Sequence, residues 1–176
     1  MGKIGTPERV KLIAGLISNN TKLLSDIRRP FERILANSID FESPVIEFDK
    51  TDYYQEEMGP ALKRKFYSFK KLVSLDGIHA VKIKTNALEK RFTKLGKRRV
   101  NIDPGYIDMA KLVLFSTKDY THRIHISKGI YAEVTLHYKN GSFTAWPWTY
   151  PDYRTKEYLD IMHKIREIYK EQLRAS

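Results

Sequence analysis

The amino-acid sequence predicts an α+β chain that forms one domain over residues 1–176. Three observations predict it. Up to residue 103 the elements fall in the order strand, helix, strand, strand, helix, strand. Glycine-bearing turns then mark two hairpins between residues 123 and 146. Finally, an apolar stripe at helical spacing closes the chain from about residue 155 to 173. The six-element order is that of a ferredoxin-like βαββαβ core, here extended by C-terminal β-hairpins and a covering helix. A three-layer flavodoxin-like α/β fold is the alternative. The two differ in whether segment 63–73 pairs antiparallel with segment 44–54.

After an extended stretch over residues 1–9, VKLIAGLIS (10–18) reads as a buried strand. Asn19, Asn20 and Thr21 offer a helix cap. Leu23, Leu24, Ile27, Phe31, Ile34 and Leu35 follow at helical spacing, with Pro30 predicting a kink near Arg29. Residues 44–49 read as the second strand and run into an acidic, aromatic loop with Asp49, Asp52, Glu56 and Glu57. These carboxylates are candidates for a general base or a Mg²⁺ ligand, and a solvated acidic loop is the plainer reading. KRKFYSFKKLV (63–73) is the third strand. Residues 78–92 form a helix with Val81, Ala87, Leu88 and Phe92 inward and Lys82, Lys84, Lys90, Arg91 and Lys94 outward. Val100 and Ile102 alternate with Asn101 and Asp103, and Asp103-Pro104-Gly105 predicts a tight turn. Residues 109–116 are strand or short helix. The closing helix carries Tyr158, Ile161, Met162, Ile165, Ile168 and Tyr169 in one stripe.

In the first hairpin a turn at Ser127-Lys128-Gly129 places His125 opposite Tyr131, Ile124 opposite Ala132 and Arg123 opposite Glu133. Alternation then puts Ile124, Ile126, Ile130, Ala132, Val134 and Leu136 on a core face. The other face carries Arg123, His125, Tyr131, Glu133, Thr135 and His137. His125 and Glu133, with Asp103, are the candidate acid/base residues. A solvated cross-strand charge pair is the plain reading of Arg123 and Glu133. Arg123 beside the glutamate also argues against a metal there. Asn140-Gly141 turns the second hairpin. Trp146, Trp148, Tyr150 and Tyr153 lie in a rigid Pro-rich run that suits stacking on a base or packing over a core edge.

The sequence has no cysteine, which removes disulfides, thiolate nucleophiles and thiolate metal sites. No GxxxxGK[ST] or GxGxxG is present, so standard phosphate-loop and dinucleotide sites are disfavoured and no cofactor is expected. The apolar run at 10–17 is too short to span a membrane, and a cytoplasmic location is expected. The formal charge of +11 is uneven: residues 61–100 hold thirteen basic groups and two acidic ones. Such a segment predicts an anionic partner. Arg98, Arg99, Arg123 and Arg154 are the candidate phosphate contacts.

GKRRVNIDPGYID, KLVLFSTKDYTHRIHISKGIYAEVTLHYKNGSF and PWTYPDYRT, with DYYQEEMG and LKRKFYSF, resemble a prokaryotic family known as domain of unknown function 4416. The resemblance runs from about Pro7 to Tyr169. It implies no established activity. Some members carry the label GTP-binding protein, which calls for a phosphate loop that this sequence lacks. The family-like positions are Asp52, Tyr53, Tyr54, Asn101, Asp103, Gly105, Tyr106, Lys118, Asp119, His122, Arg123, Tyr131, Glu133, Pro147, Tyr150, Asp152, Tyr153 and Arg154. They are mostly polar or aromatic, which implies a shared site.

Three functions follow as expectations. The first is binding of RNA or a nucleotide-like anion through a basic face. The second is a small metal- or acid/base-dependent hydrolase or phosphoryl-transfer enzyme. The third is a protein-interaction domain without catalysis.

Overall fold

The structure is a computed structural model that describes residues 2–51 and 53–175. Among these residues nine strands form one sheet in which every pair is antiparallel. That sense overturns the flavodoxin-like alternative, whose sheet is parallel. The central strand β1 (Lys11–Ser18) is buried along its whole length, because helices cover both faces of the sheet. β4 (Lys63–Phe69) and β5 (Asn101–Ile107) flank it. Outside β4 lie β2 (Ile39–Glu42) and β3 (Ile46–Glu47), so the second predicted strand is two short ones. Beyond β5 come β6 (Lys111–Ser116), β8 (Ile130–Lys139) and, along β8's outer edge, β7 (Ile124–Ser127) and β9 (Ser142–Ala145).

Alternation along β1 sends Leu12, Ala14 and Leu16 to one core and Ile13 to the other. The first core meets α1 (Thr21–Asp26), α2 (Arg28–Leu35) and α4 (His79–Arg91); α3 (Gln55–Met58) is a single turn beside Ile17. The break between α1 and α2 falls at Ile27, which leaves Pro30 in the first turn of α2, where a missing N–H costs nothing. The second core meets α5 (Lys156–Arg174), whose stripe Tyr158, Ile161, Met162, Ile165 and Tyr169 is buried. Its N-cap is Thr155, whose side chain accepts from the Tyr158 N–H.

Two expectations fail here in ways that shape the site. Asp103-Pro104-Gly105 is no turn: β5 runs straight through it, with Pro104 opposite Ala14 and Asp103 opposite Gly15. On the other side β5 joins β6 only from Gly105 opposite Leu114 onward. Proline has no N–H to give a ladder, and residues 101–104 have no ladder partner in β6. At Gly105 the strands meet so closely that a Cβ would lie 2.1 Å from the Val113 carbonyl oxygen. Gly105→Ala is therefore expected to lose about 3 kcal/mol, the upper end of overpacking costs, as a lower urea midpoint at unchanged slope. The second failure is the first hairpin. Its turn is Lys128-Gly129, both at positive φ, with an irregularity at Ile126 and Ser127 opposite Ile130. The predicted pairs Ile124–Ala132 and His125–Tyr131 are present. Ile124 and Ile126 are nevertheless exposed, because β7 is an edge strand beyond the reach of the helices.

Candidate functional site

Where β5 and β6 part, a cavity of about 790 Å³ opens between α4, the Tyr53–Tyr54 loop and residues 150–153. Its floor is Arg64. This side chain is 3% exposed and donates to Asp103 Oδ2 at 3.3 Å and Asp152 Oδ2 at 3.0 Å. The rings of Phe48, Phe66, Tyr153 and Tyr158 surround its guanidinium at 5.0–5.9 Å. Room for it comes from Gly15, where a Cβ would lie 2.6 Å from Arg64 Nη1.

The wall on the α4 side is polar. Lys82, expected to point outward, is buried, and so is Glu89. Lys82 Nζ donates to the Ile102 carbonyl at 2.8 Å, and Glu89 Oε1 accepts from the Ile102 N–H at 2.6 Å. They satisfy backbone groups of β5 that the missing β6 leaves unpaired. Burial pushes the Glu89 carboxyl above its ordinary range, against the pull of Lys82. A raised pKa in the folded state means tighter proton binding than in the unfolded chain. Stability from this group therefore falls as pH rises from its ordinary 4.5 through the raised value. Glu89→Gln keeps the acceptor and removes the titration. Its stability relative to wild type should climb as pH is raised from the ordinary carboxylate range to neutrality, measured as paired urea midpoints.

Arg98 closes the rim. It grips Glu57 through Nε at 2.8 Å and Nη2 at 2.6 Å, and donates from Nη1 to Asn101 Oδ1 at 3.0 Å. That bond fixes the Asn101 amide, because a guanidinium can only donate. Asn101 Nδ2 is then the other end, and it has no partner among the described residues although the side chain is buried. Arg64 Nε and the Tyr153 hydroxyl are likewise buried and unpartnered among the described residues. Opposite, Arg123 holds Glu133 (Nε to Oε2, 2.8 Å) and donates to Ser116 Oγ, the Lys118 carbonyl and the Tyr150 hydroxyl. Tyr54 borders the cavity, and burial holds its phenol well above the ordinary value. Tyr53, by contrast, is drawn down by its hydrogen bond from Lys118. Among the described lining residues, seven side chains are basic and four acidic, so the cavity is net positive.

The predicted site residues divide. Asp103, Glu133, Arg98, Arg123, Tyr150 and Tyr153 all line the cavity, as do ten of the family-like positions. His125 does not: it accepts from the Gly129 N–H in its own turn, and His122 takes the place beside Glu133 at 3.2 Å. Arg99 is exposed outside the cavity. Arg154 donates to the carbonyls of Trp146, Pro147 and Thr149, bracing the aromatic loop. Tyr153 is core-packed, while Trp146 and Trp148 stack on each other with ring centroids 5.2 Å apart and are not among the residues that line the cavity. Of the carboxylates in the acidic loop, Glu57 pairs with Arg98, Asp49 with Lys50, and Asp52 lies outside the described residues. Among the described residues no group of three or more His, Asp or Glu is placed to hold a metal ion.

Part of the basic middle segment is held in ion pairs, while Lys84, Lys90, Arg91, Lys94, Lys97 and Arg99 are exposed on α4 and the loop after it. Lys63 pairs with Glu47, Lys65 with Glu42, Arg64 with Asp103 and Asp152, and Arg98 with Glu57 and, at longer range, Glu89. Lys70 and Lys71 follow the far end of β4 from Arg98. No helix among the described residues is long and apolar enough to cross a membrane.

The chain belongs to the family described as a domain of unknown function (DUF4416), which it matches over residues 8–169. No curated protein and no solved structure matches it.

Proposed function

We propose that this member of the family binds a compact, nucleotide-like anion in the cavity between β5 and β6. The observation that carries the reading is Asn101. Its carbonyl end is tied to Arg98, and its buried Nδ2 lacks a partner among the described residues, a role that a ligand oxygen would fill. The net positive lining supports a negative ligand, and the rings of Phe48, Tyr54 and Tyr150 support a planar group on it. We prefer a compact ligand to an RNA strand along a basic face because Lys63, Lys65 and Arg98 are each engaged by a carboxylate. Acid/base catalysis by Asp103, His125 and Glu133 together is also less well supported, because His125 stays in its turn.

We read β1, α1–α2, β2/β3, β4, α4 and β5 as a ferredoxin-like core and β6–β9 as its extension. The neighbour order β2-β4-β1-β5, antiparallel throughout, supports this. The cavity then lies at the seam where the two parts separate, beside Pro104. Calorimetric titration of pyrophosphate, nucleoside mono- and triphosphates and a single-stranded RNA across a salt series tests the reading. One site per chain for a nucleotide or pyrophosphate, persisting at physiological salt, is the expected result. Binding of RNA alone, lost steeply with salt, would overturn it.

A further inference from the structure

We propose that the cavity continues into a neighbouring groove, and that the two form one site for a bipartite ligand: an anionic head in the cavity and a hydrocarbon or aryl arm in the groove. This rests on the anion reading of the cavity. The groove, of about 1120 Å³, lies beyond the Arg123–Glu133 pair. Lys118, Arg123, Glu133 and Tyr150 line both spaces, so one ion pair is a shared partition and a ligand that passes it occupies both.

The groove's chemistry differs from that of the cavity. Ile124, 74% exposed, Ile126, 38% exposed, and Trp148, 40% exposed, present large apolar surfaces that packing among the described residues does not cover. Val113, Ala132 and Val134 line the same groove. Its charged residues, Lys111, Lys118 and Arg123 against Asp119 and Glu133, nearly balance, so it does not suit a second anion or a polyanion track. Trp148 is fixed in three ways: Nε1 donates to the Val134 carbonyl at 3.2 Å, and the ring stacks on Trp146 and, at 5.7 Å, on His122. His122 is itself held by Glu133. A flat wall immobilised beforehand spares a ligand the cost of ordering it. The wall is also coupled, through His122 and Glu133, to the arginine facing the cavity.

A series of alkyl phosphate monoesters, methyl to octyl, titrated by calorimetry into wild type and Ile124→Asp, tests this. Affinity should rise about fourfold for each methylene that reaches the groove, and pyrophosphate should compete with every member. Ile124→Asp should flatten the rise and leave methyl phosphate binding as in wild type. A flat series in wild type, with methyl phosphate still bound, overturns the bipartite site and leaves the anion reading intact. So does a rise that Ile124→Asp does not flatten, or one that pyrophosphate does not compete with. A flat series accompanied by a dimer that Ile124→Asp dissociates assigns the groove to a second copy and also overturns it. If neither the monoesters nor pyrophosphate bind, the anion reading itself falls.

Discussion

Arg64→Ala is expected to destabilise the protein by about 3–5 kcal/mol, the cost of stripping one partner from a buried ion pair. The guanidinium is nearly inaccessible, and Asp152 beside it is 6% exposed. Without the arginine, Asp152 and Asp103 lose the cation they share, and four aromatic rings lose the group they pack around. Uncompensated charge, more than lost packing, accounts for the size of the effect, and this is separable. Asp152→Asn in the Arg64→Ala background should restore part of the loss, although alone it should destabilise. Gly15→Ala gives a second check. In wild type its methyl would collide with Arg64 Nη1; in Arg64→Ala that contact is gone, so the two changes should be strongly non-additive. Urea unfolding of wild type, the three single variants and the two double variants measures all of this. A loss under about 1 kcal/mol for Arg64→Ala, the level of an exposed ion pair, or simple additivity with Gly15→Ala, would show that the buried cation does not organise this face.

Much of the architecture is legible in the sequence because its signals are local. The closing helix is readable from its stripe, β1 from a short apolar run bounded by turn residues, and both hairpins from Gly129 and Gly141. The errors arise where tertiary context reverses a local signal. Asp-Pro-Gly is strong turn chemistry, yet β1 pairs along its length and holds it extended. The site is half visible for the same reason. Asn101, Asp103, Arg98 and Glu133 stand out by type. Lys82 reads as outward, and Glu89 draws no notice, because charged side chains seldom face a core; yet Lys82, Thr85 and Glu89 fall at helical spacing on one buried face. Arg64 is one basic residue in a basic strand. Nothing in the sequence separates it from Lys63 or Lys65, which pair with carboxylates of β2 and β3; only the register with Gly15 and Ile17 sets it over the rings. His125 and His122 lie three residues apart, and which one meets Glu133 depends on the loop before β7, which periodicity does not reach.

Asn101→Asp should lower affinity for an anionic ligand by about a hundredfold while leaving the protein folded, the equivalent of losing one hydrogen bond to a charged group. The change is nearly isosteric. One oxygen of the introduced carboxylate still accepts from Arg98 Nη1, so the side chain keeps its orientation and the β5 backbone its pairing with Ile17. What changes is the other end. A buried N–H becomes an oxygen with negative charge, on a side chain that lines the cavity. A hydrogen bond to a charged partner contributes about 1.5–3 kcal/mol, and like-charge repulsion adds to its loss. Arg98 can offset part of that repulsion, but it is already shared with Glu57 and lies 3.7 Å from Glu89. The measurement is a pair: calorimetric affinity for pyrophosphate and the urea midpoint, both at neutral pH. Lost affinity with a midpoint close to wild type places Asn101 against the ligand. Unchanged affinity would mean that the unpartnered amide faces no ligand and that the cavity binds its anion from the Lys118 side alone. Arg98→Ala distinguishes orientation from charge, because it frees the Asn101 amide to rotate. It should weaken binding even for a neutral ligand group that only accepts from Nδ2, an effect that removal of a positive charge by itself would not produce.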